Sequence, residues 1–236
     1  MMTDYYSETL SSDRLQRCYE IAPARVQRYL AAETAHVRTR LRPGMAVLEL
    51  GCGYGRVLFQ LASPDWSLTG IDSSEKSIAH ARRLAPSGLP LAFHVMDATQ
   101  LDFEDRTFDL TFCVQNGICA FHANEDRLFE EALRVTRPGG TVLFSSYLAD
   151  FWEHRLAWFE RQAEEGLIGP IDRARTKDGR IVCQDGFSAG TCSPEAFSRL
   201  ARRHGFPPRL VEVDDSSLFL ELTLPPQAPR PADMTQ

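Results

Sequence analysis

Val47-Leu48-Glu49-Leu50-Gly51-Cys52-Gly53-Tyr54-Gly55-Arg56 carries the reading of the fold. The apolar run Met45–Leu50 stops abruptly at a G-x-G-x-G loop, and Arg56–Leu61 then has helical texture. A strand that empties through glycines into a helix is the opening of a βαβ unit. Working outward, Ser67–Asp72, Leu91–Asp97, Phe108–Gln115 and Thr141–Tyr147 read as four further short strands. Helices are predicted from Ser73/Ser74 to about Leu84 and from about Glu125 to Val135, with the turn Arg137-Pro138-Gly139-Gly140 before the fifth strand. Their nearly continuous apolar character suits strands buried on both faces, and the alternation predicts a parallel sheet.

The flanks complete an α/β, doubly wound, mostly parallel seven-stranded sheet. Residues 1–42 are predicted as an N-terminal helical segment. It comprises a short helix from Asp13 to Tyr19 with Ser12 as N-cap, and a longer one from Ala24 to Leu41 that Pro43-Gly44 ends. Residues 43–147 form the core. Residues 148–192 interrupt it as a cap, with an amphipathic helix over Asp150–Glu165 and a hairpin that turns at Lys177-Asp178-Gly179-Arg180. Residues 193–224 return to the core: Ser193-Pro194 opens a helix to about His204, and Arg209–Val213 and Leu218–Leu224 are close enough in sequence to pair only as an antiparallel hairpin. The proline-rich end, 225–236, is predicted to be disordered.

Composition narrows the function. With 43% hydrophobic and 25% charged residues among 236, the chain can bury a core. A net charge of −6 speaks against a general nucleic-acid binder, which needs clustered Lys and Arg. No apolar run approaches the ~18 residues that span a bilayer. Six scattered cysteines with no C-x-x-C pair suggest reduced thiols in a cytoplasmic protein and no metal site.

In an open parallel sheet, ligands bind outside the carboxyl ends of the strands. That places Gly51–Gly55, Asp72, Asp97, Gln115–Gly117 and Ser145–Tyr147 around one mouth. Asp72 ends the second strand about twenty residues past the loop, where an acid accepts from ribose hydroxyls. Asp97-Ala98 ends the third, where a carboxylate can face an adenine amino group. Taken singly, each acid reads equally well as a cap or turn residue; together beside a glycine loop they indicate a nucleoside. A dinucleotide site would need G-x-G-x-x-G, and here the third glycine falls one residue early, with Arg56 next.

VLELGCGYGR (47–56), GIDSS (70–74), HVMDATQLDFEDRTFDLTFC (94–113) and RPGGTVLFSSY (137–147) resemble the ordered motifs of class I S-adenosylmethionine-dependent methyltransferases, of the kind acting on small molecules. The resemblance spans about residues 43–147. It implies S-adenosylmethionine as cofactor, with Glu49, Gly51, Cys52, Gly53 and Gly55 bordering its methionine part. It also implies Asp72 and the adjoining Ser73 at the ribose, Asp97 and Ala98 at the adenine, and Gln115 near the amino-acid end.

A sulfonium methyl is already electrophilic, so positioning and water exclusion can suffice and no catalytic triad is required. Where a base is needed, the candidates are His122, Tyr147 and Tyr6, with Tyr5 and His154 behind them. His122 reads equally as a helix-entry histidine, and Tyr5 and Tyr6 as anchors of the first helix. Phe151, Trp152 and Trp158 are expected to be core. The partner expected is a small-molecule acceptor enclosed by the cap, with no nucleic acid or membrane, in a monomer or homodimer. Two alternatives stand beside this: a non-catalytic binding protein, and a thiol or metalloid methyltransferase, for which several thiolates would have to converge.

Overall fold

The computed structural model describes Tyr5 and residues 10–121 and 125–226. Tyr6, His122 and the tail from residue 227 lie outside the described residues. Chain order is α1 (Ser12–Glu20), α2 (Ala24–Arg38), β1 (Ala46–Leu50), α3 (Arg56–Leu61), β2 (Ser67–Asp72), α4 (Glu75–Leu84), β3 (Leu91–Val95) and β4 (Phe108–Cys113). It continues with α5 (Glu125–Val135), β5 (Thr136–Tyr147), α6 (Trp152–Glu164), β6 (Ile181–Val182), β7 (Ser188–Ala189), α7 (Pro194–Arg203), β8 (Arg209–Val213) and β9 (Ser217–Thr223).

Seven strands form one sheet in the order β3-β2-β1-β4-β5-β9-β8. β1 to β5 are parallel, while β9 pairs antiparallel with both β5 and β8. The α/β doubly wound reading holds, antiparallel terminal hairpin included. One face packs on α5 and α7 through Phe129, Ala132, Phe197 and Leu200; the other packs on α3 and α4 through Val57, Leu58, Ile78 and Ala81. A third apolar cluster joins the N-terminal helices to the 148–192 segment, with Tyr29, Phe151, Trp158 and Phe187 at its centre.

Several predicted boundaries move, each for a local reason. β3 stops at Val95 because Asp97 turns back on itself, accepting from both the backbone N–H and the hydroxyl of Thr99 at 2.8 Å. β4 stops at Cys113 because Gln115 and Asn116 are both left-handed, with φ of 57° and 59°. β5 starts earlier than expected: Thr136 already pairs with Phe108, and Arg137–Gly140 is accommodated as an irregularity in the ladder, where a proline can sit. The first helix begins at Ser12 itself, with Ser11 at the N-cap and no side-chain cap bond. Ser74, not Ser73, caps α4, accepting from the N–H of Ser77.

The predicted hairpin around Asp178-Gly179 is corrected in part. Lys177 and Arg180 do bridge across that turn, but the two-stranded ladder is β6 with β7, which turns at Gln184–Gly186.

Burial and capping differ in weight here. Phe129 is fully buried and stacks on Phe144 with centroids 5.5 Å apart. Urea unfolding of Phe129→Ala should show a loss of about 3–5 kcal/mol. Ser193→Ala, which removes the hydroxyl that accepts from Ala196 N–H at 3.2 Å, should lose only about 1 kcal/mol.

Candidate active site

The chain leaves β1 toward β2 and leaves β4 toward β5, so a crevice opens between their carboxyl ends. A cavity of about 660 Å³ lies there, lined by the glycine loop, the ends of β2 to β5, the first helix and the 186–189 segment. That volume is within the range of small-molecule sites.

The loop is built for close approach. Gly53 (φ 53°) donates its N–H to Asp72 Oδ2 at 2.9 Å, and a Cβ there would come within 2.8 Å of Leu15. Gly55 (φ 88°) is the left-handed residue before α3, and a Cβ there would strike the rings of Phe93 and Phe59. Neither position tolerates an ordinary side chain.

Every described residue assigned to the cofactor in the sequence reading lines this cavity: Glu49, Gly51, Cys52, Gly53, Asp72, Ser73, Asp97, Ala98 and Gln115, with Gly55 just behind, closing the loop. Asp72 is oriented by two backbone donors, Gly53 and, through Oδ1, Ser74 at 2.9 Å. Glu49 is buried, and its Oε2 has no hydrogen-bond partner. Burial pushes its pKa well up, opposed by the positive charge of Arg56 and reinforced by Asp72. Arg56 Nε and Nη2 and Gln115 Nε2 are likewise buried without partners, and the Arg56 guanidinium stands 4.9 Å over the Tyr19 ring. Such atoms are costly in an interior unless a ligand meets them. The Cys52 thiol is raised well above its usual pKa by burial, so it is no nucleophile at neutral pH.

Of the catalytic candidates, Tyr147 lines the cavity, buried at the end of β5. Burial lifts its hydroxyl to about 12, against the lowering effect of the Arg155 guanidinium 4.5 Å over its ring. Tyr5 also lines the cavity, donating to Asp185 Oδ2 at 2.5 Å and packing on Phe187. His154 is exposed against Phe151 and is not part of the lining. Phe151 and Trp158 are core, the latter donating to the Cys18 carbonyl at 2.8 Å. Among the described residues, no three His, Cys, Asp or Glu side chains gather as a metal site would require.

Two functional side chains were missed. Glu33, wholly buried on α2, accepts from Gln115 N–H at 3.0 Å and from the Ser217 hydroxyl at 2.5 Å. Arg155, 1% exposed on α6, donates to the carbonyls of Gly179, Ala189 and Gly190. Their signal was present: each occupies the apolar spacing of its helix, as in Val26, Tyr29, Leu30, Glu33, Val37. A charge on a buried face indicates built-in partners.

Residues 47–140 match the family model of a methyltransferase domain. An arsenite methyltransferase of Aquipseudomonas alcaligenes is 32% identical over 204 residues, 79% of this chain and 53% of that protein. A 2-methyl-6-phytyl-1,4-hydroquinone methyltransferase of Synechocystis sp. is 35% identical over 109 residues, 45% of this chain and 33% of its own. The chain spans about half or less of the length of these curated relatives. In fold it is similar to a methyltransferase of Methanosarcina mazei (TM-score 0.62, 21% identity, 81% of this chain and 98% of that one). It is also similar to the magnesium protoporphyrin IX methyltransferase of Synechocystis, solved with S-adenosylhomocysteine (TM-score 0.61, 18% identity, 94% and 96%). Over residues 47–140 the chain is similar to methyltransferase domains, and its fold is that of solved methyltransferases.

Burial raises the Glu33 pKa above its usual 4.5, more than hydrogen bonds from Ser145 and Ser217 lower it. A raised folded-state pKa stabilises fully below the unfolded value, and that contribution is lost as pH rises through the folded one. Glu33→Gln, with its amide nitrogen turned to Ser217, should therefore gain stability relative to the parent as pH rises from 4 to 7 in parallel urea titrations. A constant difference across that range would show that Glu33 titrates normally.

Proposed function

We propose that the cavity transfers a methyl group from S-adenosylmethionine to a small-molecule acceptor held beneath the 148–192 segment, which acts as a cap on the 43–147 core. The observation that carries this is the lining between β1 and β4: Asp72 and Asp97 at neighbouring strand ends, with buried, unpartnered polar atoms on Glu49, Arg56 and Gln115. These residues fit a nucleoside joined to a zwitterion. Asp72 would take the ribose hydroxyls, and Asp97 and Ala98 the adenine. Arg56 and Gln115 would hold the carboxylate of the amino-acid end, and Glu49 its ammonium.

When bound, the cofactor supplies a methyl carbon made electrophilic by a positively charged sulfur. The acceptor's lone pair forms the new bond to that carbon as the carbon–sulfur bond breaks, its electron pair staying on sulfur. S-adenosylhomocysteine would leave as a neutral thioether, and an O–H or N–H acceptor would lose its proton to a neighbouring base or to solvent. The protein's task is alignment and exclusion of water. Tyr147 would stand at the acceptor as a wall and a candidate proton-transfer group, its hydroxyl pushed up to about 12 by burial. His122 and Tyr6, the other candidate bases, lie outside the described residues.

The name of one relative raises arsenite as an acceptor, but soft metalloids need converging thiolates. Among the described residues the cavity lining has two thiols, Cys52 and Cys119. The six free thiols suit a reducing compartment, and we place the protein in the cytoplasm. Among the described residues no helix is long and apolar enough to cross a membrane.

Calorimetry with S-adenosylmethionine and S-adenosylhomocysteine tests the reading. Micromolar binding is expected, absent for NADH and weakened at least about tenfold, or 1.4 kcal/mol, in Asp72→Ala. Equal binding by Asp72→Ala would remove Asp72 from the ribose, and no binding by the parent would sink the proposal.

A further inference from the structure

Part of the cavity is walled by aromatic rings from three separate segments. Tyr19 comes from α1, Phe159 from α6 and Phe187 from the β6–β7 turn, with Tyr147 and Tyr5 completing the lining. The rings form a connected series. Tyr54 in the glycine loop lies 6.0 Å from Tyr19, Tyr19 lies 5.9 Å from Trp158, and Trp158 lies 5.7 Å from Phe159. Phe159 lies 5.8 Å from Phe187, and Phe187 lies 5.0 Å from Tyr5. Interplanar angles of 31–71° along the series leave edges and faces presented by turns.

The charged groups divide the cavity. Its described carboxylates, Glu49, Asp72 and Asp97, all stand at the strand ends around the glycine loop, and none belongs to the aromatic wall. Among the described residues, an ammonium-bearing acceptor would find no carboxylate lining that wall, since Asp185 stands behind it and is engaged by the Tyr5 hydroxyl. A planar ring would find partners for both face and edge, which gain beyond area burial alone.

Resting on the methyltransferase reading above, we propose that the acceptor is an aromatic small molecule, its ring system lying among Tyr19, Tyr147, Phe159 and Phe187. Because Tyr19, Phe159 and Phe187 come from α1, α6 and the β6–β7 turn while Tyr147 ends β5, the specificity pocket is complete only when the N-terminal helix and the cap close on each other. They meet through Trp158 on the Cys18 carbonyl and through Arg14 on the carbonyls of Gly166 and Leu167, at 2.7–2.8 Å.

The test is calorimetric titration with 2-naphthol and with its saturated counterpart decahydro-2-naphthol, each with and without saturating S-adenosylhomocysteine. The expected result is 2-naphthol binding roughly tenfold or more tighter than the saturated alcohol. Phe187→Leu, which keeps an apolar side chain of similar volume, should erase most of that preference while leaving S-adenosylhomocysteine affinity unchanged. Equal affinity for the two alcohols, or no 2-naphthol binding by protein that does bind S-adenosylhomocysteine, would overturn the inference and leave the methyltransferase reading intact. Preference for 2-naphthol in protein that fails to bind S-adenosylhomocysteine would uphold the aromatic site and overturn the function proposed for it.

Discussion

A carboxylate taken wholly out of water is tolerable only where donors converge on it, and Glu33 shows how much of the site hangs on such a convergence. Its two oxygens receive the N–H of Gln115 and the hydroxyl of Ser217, with Ser145 beside them also accepting from Gln115. One side chain thus ties α2 to the exit of β4, to β5 and to β9. The backbone at Gln115 and Asn116 is left-handed at two successive non-glycine residues, a strain of about 1–3 kcal/mol each that persists only when over-determined. Glu33 restrains the first of the pair. The second is held through its side chain, which accepts from Ser146 and donates to the Gly190 carbonyl. The cavity wall at the end of β4 is therefore maintained from above by α2 and from the side by the segment returning to the core.

Arg155 plays the corresponding part for residues 148–192. Its guanidinium ties α6 to both arms of the 179–190 segment through backbone carbonyls, and its face covers the Tyr147 and Phe159 rings. A lysine would present a point charge with neither the planar fork nor the stacking surface. The small β6–β7 ladder has only two residue pairs, too little to stand alone. Its position depends on this cation and on Phe187, which is buried against Phe159 and Tyr5.

How much of this was legible follows from which forces are local. The sheet was readable because burial on both faces leaves an apolar run in each strand, and because glycine is required where β1 empties into α3. The acids at the ends of β2 and β3 were readable because topology alone places strand ends together. Strand ends were misplaced at Asp97 and Gln115, where side-chain hydrogen bonds and left-handed backbone override the apolar pattern. The cap hairpin was misread because Asp178-Gly179 is a genuine tight turn. The ladder, however, depends on Phe187 reaching Phe159, and that is tertiary information. Glu33 and Arg155 escaped for a related reason. Their spacing marks them as buried, but the donors and carbonyls that make burial tolerable come from residues 24 to 184 positions away.

The division of charge within the cavity bears on how such a site can work. Negative groups gather where a sulfonium-bearing nucleoside would lie, while another part of the wall is aromatic and carries the diffuse positive charge of Arg155. Methyl transfer from a sulfonium to an anionic nucleophile would discharge a cation, so the reacting centre would become less charged as the bond forms, whereas a neutral nucleophile would carry the positive charge until it lost a proton. An environment that is dry and apolar on the acceptor side opposes that change less than water does. The aromatic wall and the clasp between α1 and α6 then serve one end: they exclude water and fix the angle of approach. Tyr147, buried at the end of β5, adds to that enclosure. The absence of a triad from the sequence motifs is the natural counterpart of a site whose chemistry is carried by geometry.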